Sequence, residues 1–451
     1  MIPIVTPAQM GAIDADAPEP VEELIERAGR AVTRVALNML GGTYGRVVNV
    51  VAGGGNNGAD GRVAAALLKA KGLNVRVFDA LDCPEALPPA DLVIDAAFGT
   101  GFSGEWAAPA IGNAMVLAVD IPSGVLALTG EAGSGVIRAD RTIVFQALKP
   151  GLVFGAGAQL AGEVEVIDIG LDVSRADQQL VERSDVSAWW PTRAADAHKW
   201  KGAVRVIAGS PSMLGAGRLC ASGAARSGAG LVALSSPGID PSGRSEVVQP
   251  RIPSSDFAEQ VLSGIHRFGS LVIGPGLGRE EFTIPSVRQI IAEAPVPVVI
   301  DGDGIFASAW SGDSAGALLR TRGLPTVVTP HDGEFALLTG GPPGHDRVAA
   351  ARGLAADIEC TVLLKGPTTV VAAPGGDVLV VDHGDQRLAT AGSGDVLAGV
   401  IATALAAGVD PLRAAAAGAW VHAEAGRLGT AVGLLAGDIV DRLPQALAGL
   451  T

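Results

Sequence analysis

Short apolar runs alternate with helix-like stretches along the whole chain. In the first half the runs are 47–52 (VVNVVA), 74–78, 91–95 (DLVID), 115–120 (MVLAVD), 141–145 and 164–169 (VEVIDI). They are near-continuous in apolar residues rather than alternating, the pattern of parallel strands covered by helices on both faces. A Gly/Asn loop follows the first run and leads into a helix predicted over about 60–71. The second half repeats the scheme with runs at 203–208, 231–235, 271–273, 297–301, 326–329, 361–364, 369–372 and 378–381, then a long Ala-rich helix from 394 to about 407. Between the two series lies 175–185 (RADQQLVERSD), charged and without an apolar face. The expected organisation is a domain of residues 1–175, a connector of 176–185 and a domain of 186–451, each large enough for its own core. The fold class this predicts is α/β, as two three-layer αβα domains.

Composition sharpens the picture in three places. Aromatic residues make up 4% of the 451 residues, so Ala, Val, Leu and Ile must fill both cores. The net charge of −14 argues against nucleic acid or an anionic membrane as partner. Cys83, Cys220 and Cys360 are too few and too far apart for a disulfide framework or a zinc site, and read as buried thiols. No apolar run is long enough to span a membrane, and the N-terminal residues lack the basic-then-apolar order of a signal peptide. A cytoplasmic location is expected.

Candidate chemistry gathers at strand ends. Residues 52–61 (AGGGNNGADG) leave a strand and enter a helix, a setting in which glycines let backbone amides approach a phosphate. Asp95 ends one later run, with FGTGFSGE (98–105) behind it; Asp120 ends another and is followed by IPSG. A lone Asp after a strand usually caps a helix. Three such loops in succession converge on one crevice of a parallel sheet. Asn57, Asp60, Asp95, Asp120 and Ser123 all lie within its reach.

In the second half TAGSGDVLAG (390–399) opens the Ala-rich helix. The amides of Gly392, Ser393 and Gly394 form a candidate anion hole, with Asp395 beside it. A carboxylate this near a bound phosphate repels it, and accepting a proton from a substrate hydroxyl is a reason for it to be there. Around it stand HKWKGAVRVIAGS (198–210), glycines at 215 and 217, GPGLG (274–278), DGDG (301–304), TPHDGE (329–334) with His331 and Glu334, and KGPTT (365–369). His198, His266, His345, His383 and His422 have no comparable setting and receive no role.

Two families carry these motifs in this order. LIERAGRAV (24–32), GGGNNGADG (53–61), DAAFGTGFSG (95–104), AVDIPSGVLALTG (118–130) and LKPGLVFGAG (148–157) resemble the NAD(P)H-hydrate epimerases, Rossmann-like proteins. The resemblance implies that Asn56, Asn57, Gly58, Ala59 and Asp60, then Gly99, Thr100, Gly101, Phe102, Ser103, Gly104 and Glu105, and Asp120, bind the hydrated dinucleotide. It implies a potassium ion on Asn57, Asp95 and Ser123. Ala59 stands where that family carries Gly, which a helical or extended backbone accepts. Asp60 and Asp120 are both candidates for the acid and base, unranked.

Residues 186–451 resemble the NAD(P)H-hydrate dehydratases, which have the ribokinase-like fold. By that resemblance Ala216, Gly276, His331 and Asp395 hold the hydrated cofactor, and Lys365, Gly366, Pro367, Thr368, Thr369 and Gly394 hold the adenine nucleotide. Magnesium is expected with the nucleotide, near Glu334. ADP is the co-substrate of similar bacterial proteins, and no residue here chooses ADP over ATP. Ser393 and Ala391 replace the Thr and Gly of that family's motif, leaving the backbone donors in place. The implied activity is repair of hydrated NADH and NADPH. The first domain interconverts the R and S hydrates, and the second dehydrates the S form at the expense of a nucleotide. A homo-oligomer is expected. Two other readings remain: a vitamin-precursor or sugar kinase with an N-terminal nucleotide-binding module, and a non-catalytic nucleotide sensor in the first half.

Overall fold

The computed structural model describes residues 1–193, 195–239, 246–310 and 315–450. It divides into two compact units, residues 2–178 and 179–451.

In the first unit a parallel sheet is built from β1 (Val47–Ala52), β2 (Asn74–Asp79), β3 (Leu92–Ala96), β4 (Met115–Val119), β5 (Arg141–Phe145) and β6 (Glu163–Ile167). Its order is β2-β1-β3-β4-β5-β6. Alternate residues serve opposite faces. Val48, Val50, Ile94 and Leu117 pack on α2 (Val21–Leu40) and α3 (Asn56–Ala70), while Val51 and Val93 turn to Leu87, Ala97 and Trp106. A short helix α1 (Pro7–Ala15), capped by Thr6 and Gln9, precedes them. The strand order reverses direction between β1 and β3, and a doubly wound sheet opens a crevice at such a point, beyond the C-terminal strand ends.

The second unit holds β7 (Ala203–Ile207), β8 (Leu231–Ser235), β9 (Val247–Val248), β10 (Ser270–Ile273), β11 (Val298–Ile300), β12 (Thr326–Val328), β13 (Thr361–Leu364), β14 (Thr369–Ala372) and β15 (Val378–Val381). These run in the order β9-β8-β7-β10-β11-β12-β13-β14-β15, parallel as far as β13, with β14 and β15 added antiparallel. One face packs on α4 (Leu214–Arg226), α6 (Ser393–Ala406) and α7 (Pro411–Arg427), named with α5 (Asp332–Thr339), which carries site residues. Helices α4 and α6 cross with their backbones in contact. A Cβ on Gly399 would lie 2.1 Å from the Cys220 carbonyl oxygen, and one on Gly223 would lie 2.6 Å from that of Val396.

Residues 176–185, read above as a charged connector, contain a strand, Gln178–Leu180, and the start of a helix, Arg183–Trp189. Val181 is buried, and its amide donates to the Val380 carbonyl at 2.9 Å. The charged residues flanking so short an apolar stretch hide its period. The helix expected from about residue 60 begins at Asn56, because Asn56, Asn57 and Gly58 accept helical backbone in its first turn. Among the described residues no helix is long and apolar enough to cross a membrane.

Candidate active sites

At the reversal point of the first sheet lies a cavity of about 440 Å³. Asn56, Asn57 and Asp60 enter it from α3, Gly99, Thr100, Gly101 and Phe102 from the loop after β3, and Asp120 from the end of β4. Leu24, Ile25, Phe98 and Phe145 supply apolar wall. Gly58 does not line it. A Cβ there would lie 1.9 Å from the Gly53 carbonyl oxygen, so this glycine lets the loop fold back onto its own helix. Ala59 is helical and accepts its methyl without strain. Ser103, Gly104 and Glu105 are exposed and outside the lining.

Two carboxylates in the cavity differ in their surroundings. Asp60 is 6% exposed; burial, then the nearby charges of Asp120 and Asp14, push its carboxyl up to about 8. Asp120, held at a left-handed φ of 69°, places Oδ1 at 2.9 Å from the Lys149 ammonium. Lys149 is 1% exposed, and its Nζ also donates to the carbonyls of Phe145 and Ala147, each at 3.1 Å. All three of its donors are therefore spent inside the protein. Lys149 also lines the cavity, with its ammonium held by these three acceptors. Asp14, at the cavity edge, is raised by burial, with Lys149 opposing and Asp120 adding to the shift.

Asp95 and Ser123 do not line the cavity; they are buried and paired, and the amide of Phe98, which does line it, donates to Ser123 Oγ at 2.9 Å. Ser123 Oγ donates to Asp95 Oδ1 at 2.6 Å, and its amide donates to Oδ2 at 2.9 Å. Burial raises the Asp95 carboxyl, against these bonds. No ion pair to Asp95 is present among the described residues. Both polar atoms of the Asn57 side chain are buried without a partner. A buried carboxylate and an orphaned amide oxygen suit a monovalent cation with oxygen ligands, so these residues fit potassium.

In the second unit Gly392 adopts φ 88° and caps α6, so that the helix opens toward Lys365 and Asp301. The Ser393 amide is not free, since it donates to the Thr390 carbonyl at 3.2 Å. This corrects the expectation that it is one of the anion-hole donors: the turn that positions the helix consumes it. Gly394 sits directly against the lysine, and a Cβ there would be 3.3 Å from Lys365 Nζ.

Lys365 Nζ is 2.5 Å from Asp301 Oδ1 and 3.9 Å from Glu334 Oε2. Burial would lower its pKa; the Asp301 and Glu334 carboxylates outweigh that and raise it. Asp301 also accepts from Thr329 Oγ1 at 2.8 Å. Burial, then Asp301, pushes Asp395 up to about 7, with Lys365 opposing and Asp303 and Glu334 adding. Glu334 is raised chiefly by burial. Three carboxylates, Asp301, Glu334 and Asp395, thus act on the Lys365 ammonium, while Asp303 pairs with Arg279 at 3.0 Å; the carboxylate oxygens are donors of the kind a divalent cation takes. Among the described residues no three His, Cys, Asp or Glu side chains converge as a metal site.

The remaining residues sort by geometry. Ala216 and Gly276 touch, a Cβ on Gly276 falling 2.7 Å from that of Ala216. Two residues on, the Gly278 amide donates to Asp303 Oδ2 at 2.8 Å, which ties this loop to the carboxylate group. His331 caps α5, its Nδ1 accepting from Gly333 and Glu334 amides at 3.0 and 3.2 Å, while its side chain is 61% exposed. Gly366, Pro367, Thr368 and Thr369 form the turn into β14; Arg347 Nη2 braces it by donating to the Lys365 carbonyl at 2.6 Å. The sequence reading gave no role to Lys149, Asp14, Asp301, Arg347 or His422. Lys149 lies in a quoted motif and Asp301 ends an apolar run, so both had a signal. His422, buried in an Ala-rich helix, had none.

Comparison with known proteins follows this division. Residues 204–445 match the family model described as NAD(P)H-hydrate dehydratase. Residues 21–85 and 78–151 match the model described as YjeF-related protein N-terminus. The chain is 35% identical to a bifunctional NAD(P)H-hydrate repair enzyme of Moorella thermoacetica, covering 99% of this chain and 97% of the relative. It is 36% identical to that of Mycobacterium leprae, over 95% of both chains. Among solved structures, an ADP/ATP-dependent NAD(P)H-hydrate dehydratase from Bacillus subtilis, co-crystallised with ATP and Mg2+, superposes with a TM-score of 0.52 at 29% identity, covering 60% of this chain and 98% of that one. A ribokinase-like protein from Enterococcus faecalis, 21% identical with a TM-score of 0.53, shares the fold.

Proposed function

The chain belongs to the family of bifunctional NAD(P)H-hydrate repair enzymes, and from that premise we propose where and how each of its two reactions proceeds. The pairing of an acidic cavity in residues 2–178 with an anion hole and carboxylate cluster in residues 179–451 carries the assignment.

Epimerisation belongs to the first unit. The hydrate carries a hydroxyl beside the ring nitrogen; that oxygen leaves as water when protonated, and water returns on the opposite face. Asp60, with its carboxyl pushed up to about 8, is the proton donor to the departing hydroxyl. Asp120, ion-paired to Lys149, accepts the proton of the incoming water. Asn56, Asn57 and residues 99–102 hold the dinucleotide, with the free amides at the start of α3 toward its phosphates. Asn57, Asp95 and Ser123 would hold a potassium ion, which would tie the start of α3 to the loops after β3 and β4. Asn57→Ala is then expected to weaken a monovalent-ion requirement for isomer exchange. Equal wild-type rates in potassium and in tetramethylammonium would remove the ion from this reading.

Dehydration belongs to the second unit. The amides of Gly394 and Asp395 and the Lys365 ammonium receive the terminal phosphates of the adenine nucleotide, ADP as proposed co-substrate, with the 365–369 turn along it. Glu334 would hold a magnesium ion arriving with the nucleotide, which would offset phosphate charge. Asp395 accepts the proton of the ring hydroxyl as its oxygen takes the terminal phosphoryl group. Phosphate then leaves with loss of a ring proton, and the dihydronicotinamide is restored. Incubating the protein with mixed hydrate isomers, nucleotide and magnesium should give full recovery of dihydronicotinamide absorbance and free phosphate. A stable phosphoester would favour the kinase reading instead.

The two sites predict opposite pH responses. Asp60 acts as an acid, so the active fraction is lost as pH rises through about 8, and exchange should slow there. Asp395 acts as a base, so its active fraction grows as pH rises through about 7, and dehydration should accelerate. Profiles of kcat/KM that run parallel for both reactions would contradict these roles.

A further inference from the structure

His422 is wholly inside the protein, on α7, with Nε2 3.1 Å from Ser393 Oγ. Burial pushes its imidazole down to about 4, so it is neutral and offers one N–H and one lone pair. The Ser393 backbone carbonyl also accepts from the ring, a contact that favours a ring proton on the side facing this residue, and the Lys365 ammonium nearby opposes a second one. Ser393, for its part, is 6% exposed and has already spent its amide on Thr390. The next two amides, Gly394 and Asp395, have no backbone acceptor among the described residues. Ser393 therefore joins the anion hole through its hydroxyl or not at all, and the neighbour that sets the direction of that hydroxyl is His422.

We propose that His422 is a positioning residue of the dehydratase, sharing its one N–H, on Nε2, between the Ser393 carbonyl and Ser393 Oγ, so that the ring cannot accept from the hydroxyl and the Ser393 hydroxyl proton points at the bound phosphoryl group. The inference rests on the placement of the nucleotide phosphates at the start of α6. It gives Ser393 a chemical reason to carry a hydroxyl at a position where glycine or alanine would make the same turn. It also accounts for a histidine among the alanines of α7. The opposite arrangement, with the serine hydroxyl donating to the ring, would turn that donor away from the anion.

The test is a double-mutant cycle on the full chain, read as nucleotide-dependent recovery of dihydronicotinamide absorbance. Ser393→Ala and His422→Ala should each lower kcat by about 10²-fold, as loss of one preorganised donor does. The double variant should be no slower than the slower single, because the two act as one unit. His422→Gln, whose side-chain amide can donate to the same oxygen, should recover most of the rate. A merely structural histidine would instead give losses that multiply, and glutamine would not rescue. Multiplying losses, or His422→Ala within twofold of wild type, overturns the proposal. If His422→Ala does not fold by its melting curve, the cycle is run with His422→Asn under the same criteria. Asp395→Asn is assayed alongside. If it stays active, Asp395 is not the base and the dehydratase reading on which this inference rests fails first; if it is dead while His422→Ala is unimpaired, only the present inference fails.

Discussion

Asp395→Asn should abolish nucleotide-dependent dehydration while isomer exchange continues at the wild-type rate. The asparagine is isosteric and keeps the first turn of α6, so the anion hole survives and only the proton acceptor is lost. Removing a general base costs about 10²–10⁴-fold in rate. The variant also removes a charge that Asp301, Asp303 and Glu334 repel and Lys365 attracts. Nucleotide should therefore bind at least as tightly as before, and titration of the variant with ADP and magnesium measures this. Dehydration within threefold of wild type would end the assignment of Asp395 as base.

The second large effect is expected at Lys149. Lys149→Met fills much of the same volume but leaves the Asp120 carboxylate and two backbone carbonyls without their donor. Breaking a buried ion pair from one side costs about 3–5 kcal/mol of stability. Asp120 would then be free to take up a proton or turn away from the cavity. Isomer exchange, followed by chromatographic separation of the two hydrates, should fall by at least about 10²-fold. Dehydration of pre-formed S hydrate should be unaffected in protein that remains folded. Exchange within threefold of wild type would mean that Asp120 needs no fixed cation, and the division of labour between Asp60 and Asp120 would lose its basis.

That division was not visible in the sequence, where both residues simply stand in Gly-rich loops. Ranking them required knowing that Lys149 folds back under β4 and that Asp60 has no cation beside it. The sheets were far more legible. Apolar runs such as 47–52, 141–145 and 361–364 coincide with strands because both faces of each are buried and every position is constrained. Val247–Val248 and Gln178–Leu180 went unread because two or three residues carry no period. The start of α3 was set four residues late because Asn and Gly favour loops when judged alone; here the Gly58–Gly53 approach pulls them into the helix. Motif order grouped Asp395, Lys365 and Glu334, and the structure brings the three together. It did not reveal that the Ser393 amide is consumed by the turn, or that His422 stands behind the hydroxyl, since those contacts join residues remote in sequence.

The backbone-to-backbone crossing of α4 and α6 has a genetic corollary. Wherever Gly223 or Gly399 changes to any other residue, the helix bearing Asp395 must shift as a rigid rod, because no flexible side chain lies between it and its neighbour to absorb a methyl group. The coding region for the second unit thus presents a larger target for inactivating changes than its few polar site residues suggest. Among random single-codon variants, those that keep exchange and lose dehydration should cluster at these glycines as densely as at the carboxylates. Dehydration is therefore expected to depend on the absence of side chains at the helix crossing as well as on the presence of those that do the chemistry.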